Sequence, residues 1–465
     1  MSAPVTLATR LANPGRSGTA AWVLLTALAG VLAGVAALQG PLVAGVLLAL
    51  ALGVAFSAVV VWRVEIGVLA LMFTLPLDTF GRVPGLGGVT LYQLVLLVTL
   101  GSWGLQLIAH RRTLRFSWAD IGMGAVILAA LWSYPHSLDQ GGTLFAIVRL
   151  LFTWAFVLLI TNTVTSEKWL YRAVMTFFVT AVGAGLLAIS QQWLGVSFGA
   201  IKDYLALGGA VSFSRAGAFF TDPNHLGTFM SLALVMAVAL LVHERRRGAA
   251  LIWLALIGIT GLALVASLSR TAWVGALLGL VIVIITSPRD RFRAVVLGAA
   301  AVGIAVVAFG SPFLVARLLS AGDVTGDKSV ATRYYMTQST IAMIRDNPIW
   351  GTGLGAYPLV YPSYRLPGSS ATIVKLHQLP LAFPVEMGLA GILAEAVLLF
   401  AMFAPYVRRR PDGWTRWESA TFAALLAVLI QTLFQYYLYF EYLWLVLALG
   451  VIATRLAKAA EEETS

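Results

Sequence analysis

The 465-residue chain has no cysteine, only five histidines and little charge, since Asp, Glu, Lys and Arg together make up 11% of it. Without cysteine there are no disulfides, no thiolate catalysis and no cysteine-ligated metals, and the redox compartment stays open. Ordinary globular chains carry about 25% charged residues. The shortage of charge, with 60% apolar residues and a mean hydropathy of +0.88, excludes a soluble domain. Acidic groups are the scarcer sign: 20 stand against 31 basic ones, a net charge of +11. In a soluble protein that sign would suggest nucleic acid. In so apolar a chain it is first a topology signal, and no nucleic-acid partner is expected.

What is present in excess is hydrocarbon. Sixty per cent of 465 residues is about 279, enough for ~14 spans at about 20 residues each. Hydropathy places spans near 20–38, 41–61, 64–77, 90–109, 119–134, 146–163, 171–194, 223–242, 249–266, 271–286, 294–310, 381–404, 418–436 and 440–456. Several are short, notably 64–77, so 12 spans with two re-entrant or merged segments is the alternative to 14. The first apolar run continues through Gly30 and Leu38 with no polar stop, and no cleavable signal peptide is expected. The fold class is all-α: a polytopic integral membrane protein of about 12–14 transmembrane helices, with one large extracytoplasmic loop containing an amphipathic helix. The expected divisions are N-terminal spans (1–194), a first extracytoplasmic loop (195–222), central spans (223–310), the large extracytoplasmic loop (311–380), and C-terminal spans with a cytoplasmic tail (381–465).

The arginines orient this array. Arg111, Arg112 and Arg115, then Arg245 to Arg247, then Arg289, Arg291 and Arg293, then Arg408 to Arg410 with Arg416, all fall on one side when 14 spans are counted, and that side is the cytoplasm. Adding Arg10, Arg16, Arg63, Lys168, Arg172, Arg455 and Lys458 puts 20 of the 31 basic residues inside, with both termini. Eleven remain to be explained. The long outer segment holds an amphipathic stretch, Ala331 to Arg345, with Tyr334, Thr337, Ile341 and Ile344 on one face, stopped by Asp346-Asn347-Pro348. Such a helix lies along the membrane surface with its polar side toward a cleft. Gly351-Thr352-Gly353-Leu354-Gly355 follows, a tight turn shaping that cleft. It is no nucleotide loop, because it follows a helix and a proline rather than a buried strand.

Four constellations can carry chemistry. Ser214 to Gly227 packs Arg215, Asp222, Pro223 and Asn224 into an apolar run; Asp222 reads as an N-cap with Pro223 at the first helical position. Arg215 is either a clamp for a lipid-linked phosphate, since a guanidinium fork matches phosphate oxygens, or a salt-bridge partner of Asp222 or a snorkelling anchor. Arg270, in Ser267-Leu268-Ser269-Arg270-Thr271-Ala272-Trp273, is either an interhelical lock or a substrate contact. Arg333, on the polar face of the loop helix with Lys328 and Arg345 near it, is either a solvated charge or a second grip on a diphosphate whose charge develops as it leaves. His377, in Lys375-Leu376-His377-Gln378, is either an interfacial histidine or a general base for a sugar hydroxyl. Within the next span, Glu386 is placed to orient His377, to contact acceptor sugar or to pair with a neighbouring helix, and Glu395 lies deeper. Glu441 among Tyr436, Tyr437, Tyr439 and Tyr442 reads as an interfacial aromatic belt. No His/Asp cluster has metal-ligand spacing, so no metal or other cofactor is expected.

After Gln378 come nine residues and then Gly388-Leu389-Ala390-Gly391. This pattern resembles the motif of bacterial O-antigen ligases, in the wider membrane family that also holds O-antigen polymerases and bacterial protein O-oligosaccharyltransferases. The resemblance covers roughly residues 205–400, taking in the Arg-x-Gly-x-Phe-Phe-x-Asp-Pro-Asn loop, Ser-x-Ser-Arg-Thr-Ala-Trp and Gly-Thr-Gly-Leu-Gly. It implies a functional set of a loop arginine, an arginine of the large loop and the motif histidine, here Arg215, Arg333 and His377, with Arg345 and Arg365 as competitors for the second place. Arg270, Asp222, Asn224, Glu386, Gln378 and Arg345 are the supporting candidates. Gln378 stands where many relatives have Asn. The resemblance further implies an enzyme of the bacterial cytoplasmic (inner) membrane, with its site on the extracytoplasmic side. Such an enzyme moves a glycan from undecaprenyl diphosphate to a hydroxyl acceptor, without metal and with inversion. The acceptor is lipid A core for a ligase, another lipid-linked unit for a polymerase, and a protein hydroxyl for an oligosaccharyltransferase. A transporter is the competing class, disfavoured because repeated halves and midplane polar residues in broken spans are not evident.

Overall fold

The computed structural model describes residues 41–77, 89–206, 211–287, 328–367, 376–407 and 413–464. The spans expected near 20–38 and 294–310, and Lys375, lie outside the described residues. Each of the other twelve expected spans corresponds to a helix. In chain order these are α1 (Pro41–Trp62), α2 (Val64–Thr74), α3 (Leu91–Ile108), α4 (Trp118–Ser133), α5 (Gln140–Thr163) and α6 (Glu167–Trp193). Then follow α7 (Pro223–His243), α8 (Arg247–Ala266), α9 (Arg270–Thr286), the loop helices α10 (Lys328–Asp346) and α11 (Tyr357–Val360), and α12 (Leu379–Phe403), α13 (Arg416–Thr432) and α14 (Glu441–Thr464). Among the described residues, α3, α5, α6, α7, α8, α12 and α14 are long and apolar enough to cross a membrane. The chain is an all-α polytopic membrane protein, with one two-stranded exception in the loop before α7.

Two boundaries differ from expectation for local reasons. Helix α5 starts six residues before the expected 146, at Gln140, because the Asp139 side chain accepts from the Gly142 N–H (2.9 Å) and sets an N-cap there. Helix α14 runs past 456 through the acidic tail, where Lys458 and Glu462 pair at 3.6 Å one turn apart.

The chain divides into two compact units, residues 1–67 with 97–112, and residues 68–96 with 113–465. In the first, Arg112 pairs with Glu65, and the Gln106 amide donates to the Val61 carbonyl at 2.9 Å. The second holds every candidate residue. At its centre stands α7, apolar on all sides and buried over 94% of its span, with α8, α9 and α13 packed around it. Polar side chains lock α7 to α13: Thr228 donates to Gln431 Oε1 (2.6 Å), and Gln431 Nε2 donates to Ser231 Oγ (3.0 Å). Helix α4 packs along α12.

Helix α12 is broken at Gly388, whose φ of 59° and ψ of −141° are not helical. Its next N–H, from Leu389, is taken by the Ile349 carbonyl (3.2 Å), so the loop after α10 fills the gap in the helix's own ladder. Helix α10 stops at Asp346, as the Asp-Asn-Pro sequence requires, but the face chosen from periodicity is corrected. Met336, Ser339, Thr340 and Met343 are buried, whereas Tyr334 is 50% exposed. Packing against α12 and the Tyr361–Tyr364 turn selects the stripe of Met336, Ser339, Thr340 and Met343 instead.

Candidate active site

The loop before α7 folds into a hairpin, β1 (Ala200–Ala206) against β2 (Val211–Ala218), antiparallel, with Lys202 opposite Arg215. Strand β2 carries Arg215 inward until it is 1% exposed. Its Nε donates to the Ser267 carbonyl (2.8 Å) and its Nη2 to Asn224 Oδ1 (2.8 Å), which also accepts from Ser269 Oγ (3.0 Å). Three separate stretches of sequence thus meet on one guanidinium: the hairpin, the start of α7 and the turn between α8 and α9. Arg270 opens α9 directly after Ser269 and is half-buried.

Asp222 caps α7 as read, its Oδ1 accepting from the Asn224 N–H (2.8 Å), and Lys202 Nζ donates to its Oδ2 (2.8 Å). The carboxylate offered to Arg215 as a salt-bridge partner is therefore held by a lysine across the hairpin. Burial alone would raise the Asp222 carboxyl. The charge of His225, the Lys202 ammonium and the Asn224 N–H outweigh it and hold the group well below the usual carboxylate range.

On the other side of the site, the motif joins α10. The Thr337 hydroxyl is shared between Gln378 Oε1 (2.8 Å) and the Arg333 carbonyl one turn earlier (2.8 Å). Gln378 is the N-cap residue of α12, and His377 precedes it, half-buried like Arg333. Arg345 lies twelve residues further along α10, exposed in its last turn and about 18 Å along the axis from Arg333. Arg365 is exposed beyond the Tyr361–Tyr364 turn.

The two sides converge on Tyr437, which is fully buried, with its hydroxyl 2.6 Å from Thr228 Oγ1. Burial pushes this hydroxyl above its ordinary range. The Thr228 hydrogen bond opposes that, Asp222 adds to it and Arg333 opposes it, so charges from the hairpin side and from α10 both act on this one atom. His225 packs edge-on against Phe440 (4.2 Å between ring centroids) and lies close to Tyr437 and Tyr442.

Glu386 is 3% exposed inside α12 and accepts from the backbone N–H groups of Gly355 and Tyr357 and from the Tyr436 hydroxyl (3.2 Å). It holds the glycine turn against the helix break. The turn needs its glycines: Gly351 has φ 70°, and a Cβ there would lie 2.5 Å from the Glu386 carbonyl. Of the placements offered for Glu386, the structure gives a neighbouring polar group, Tyr436, and the turn's backbone.

The aromatic-belt reading of residues 436–442 is corrected. Tyr436, Tyr437 and Tyr442 are 7%, 0% and 2% exposed, packed inward on Glu386, Thr228 and His225. The hydroxyls of Tyr436 and Tyr437 meet Glu386 and Thr228 only when α12 and α7 are brought beside the α13–α14 turn, and nothing in their spacing announces that. Lys202, Thr337 and Tyr437 are the residues around the site that sequence reasoning did not place there. A Gln or Asn capping a span and a lysine opposite the key arginine in a hairpin are the signals that point to the first two.

Residues 253–396 match the family model described as O-antigen ligase, which supports an O-antigen ligase family assignment. The matched stretch takes in Ser267 to Trp273, Arg333, the glycine turn and His377 to Gly391, while the hairpin with Arg215 lies before it. No curated protein matches the chain.

Proposed function

We propose, from the O-antigen ligase assignment of residues 253–396, that this membrane enzyme of the ligase and polymerase type transfers a glycan from undecaprenyl diphosphate to a hydroxyl acceptor. The supporting observation is the hydrogen bond between Thr337 and Gln378, which ties the motif histidine's segment to the helix turn that follows Arg333. In this reading Arg333 forms the accessible grip on the donor diphosphate. Arg215, oriented by Ser267 and Asn224, forms the fixed rear of the same site. Arg270, beside Ser269, flanks it.

The reaction is a single displacement. The acceptor oxygen attacks the anomeric carbon, its proton passes to His377, and the carbon–oxygen bond to the diphosphate breaks with inversion. The developing negative charge on the diphosphate meets arginines already in place, which is where preorganised charge lowers a barrier most. The diphosphate is a good leaving group and needs no separate acid.

The site lies on the extracytoplasmic face of the bacterial cytoplasmic membrane, with both chain termini in the cytoplasm. There no nucleotide donor is supplied and a lipid-linked one is. The acceptor is lipid A core oligosaccharide for a ligase; a polymerase would use a second lipid-linked unit with the same donor. Purified protein incubated with a lipid-linked glycan and each acceptor in turn, with products read on a gel, tests the reading. Bond formation with one acceptor is the expected result. Movement of the lipid across vesicles without bond formation overturns it in favour of a transporter.

A further inference from the structure

Arg149 belongs to none of the elements so far given a role. It is the tenth residue of α5, a 24-residue membrane-spanning helix, which puts it about 14 Å from that helix's first residue. Cations within spans ordinarily face the bundle interior. Arg149 does not: it is exposed, in a stripe with Phe145 (71% exposed), Val148 (40%) and Phe152 (43%), the flank a membrane protein turns to lipid. Its guanidinium lies over the ring of Tyr439, 4.5 Å from the centroid. Among the described residues no carboxylate pairs with it. Glu386, whose charge also reaches Tyr439, is already committed to Gly355, Tyr357 and Tyr436.

We propose that Arg149, with Tyr439 behind it, is a membrane-facing site for the phosphate of a lipid. A guanidinium on an apolar flank is stable there only with an anion or with its fork drawn to the headgroup level. The anions that reach this flank from the bilayer are lipid phosphates. The fork takes two phosphate oxygens, and the tyrosine ring holds the cation by its face and keeps the fork in place. The site adjoins the Tyr436–Glu386 contact that fixes the glycine turn, so an occupant here is beside the wall of the candidate active site. Two lipids carry this chemistry, the polyprenyl diphosphate donor and an ordinary anionic phospholipid. Only the first of these alternatives rests on the function proposed above.

The test is lipid binding, read by native mass spectrometry on purified wild-type, R149Q, R149K and R333A proteins. The probes are undecaprenyl diphosphate and phosphatidylglycerol, titrated separately, with diacylglycerol as the phosphate-free control. R149Q is expected to weaken at least one phosphate lipid tenfold or more and leave diacylglycerol unchanged, with R149K partly restored. A loss confined to undecaprenyl diphosphate makes the site part of the donor's path; one confined to phosphatidylglycerol, or shared by both, makes it a general lipid-phosphate site. Unchanged binding of both overturns the proposal. If R149Q does not fold, Y439L, which removes the ring and keeps the charge, is expected to weaken the same lipid about threefold. R333A separates the two readings. Loss of undecaprenyl diphosphate in R333A but of neither lipid in R149Q sinks this site and leaves the proposed function, and the converse sinks the Arg333 grip and leaves this site.

Discussion

Arg215 and Arg333, the two arginines assigned to one diphosphate, sit in opposite surroundings. Arg215 is 1% exposed on a hairpin strand, its fork engaged by a carbonyl and an amide from two other segments. Arg333 is half-buried on a loop helix, and the turn that follows it is tied to the motif segment by the bond from Thr337 to Gln378. The difference separates two ways in which charge serves a site. A buried guanidinium is oriented before any ligand arrives and holds the local fold together. A half-buried one keeps part of its surface within reach of a ligand and registers ligand binding more than stability.

Five substitutions probe that contrast. The largest effect is expected from His377→Ala, a loss of ~100- to 10,000-fold in transfer rate if the histidine is the base, with melting temperature and donor binding unchanged. Near wild-type transfer would remove the base from the scheme. Next, Arg333→Ala is expected to cost ~100-fold in transfer with little change in stability. Arg345→Ala, in the same helix but exposed and about 18 Å away, should stay within about twofold. Equal effects at the two positions would show a diffuse basic surface rather than a grip.

Arg215→Met breaks the contrast from the other side. Removing a buried hydrogen-bonded charge leaves Asn224 Oδ1 and the Ser267 carbonyl short of a donor, and about 3 kcal/mol of stability should go with it. A variant as stable as wild type but inactive would make Arg215 a ligand group only. The smaller stability effect is at Asp222. Its carboxyl is held below the ordinary range, so its contribution is present above the unfolded-state value near pH 4 and is lost as pH falls through the lower folded value. Asp222→Asn keeps a capping oxygen but loses the Lys202 pair. It should cost no more than about 1 kcal/mol at pH 7, with the difference from wild type vanishing in acid melts.

Much of this protein was legible without coordinates, for local reasons. Spans are legible because hydrocarbon demands long apolar runs, and the helices that differ from expectation do so at caps such as Asp139, whose effect reaches only a turn. The α7 start was legible because Asp-Pro-Asn is a cap with its own geometry. The hairpin around Arg215 was not read, since two short strands beside long spans leave a weak alternation. The tyrosines of 436–442 were misread because an aromatic at a helix end looks the same whether lipid or protein covers it.

The sequence by itself determined that the chain spans a membrane and where twelve of its apolar helices fall, because those follow from composition and from periods of a single helix. Only the tertiary structure decided which partners its cations have. Lys202 holding Asp222, Thr337 holding Gln378 and Tyr439 lying over Arg149 are contacts between residues 20, 41 and 290 positions apart. Hydrogen bonds and ring contacts act over a few ångströms, so separations of that kind are settled by packing, and no local pattern carries them.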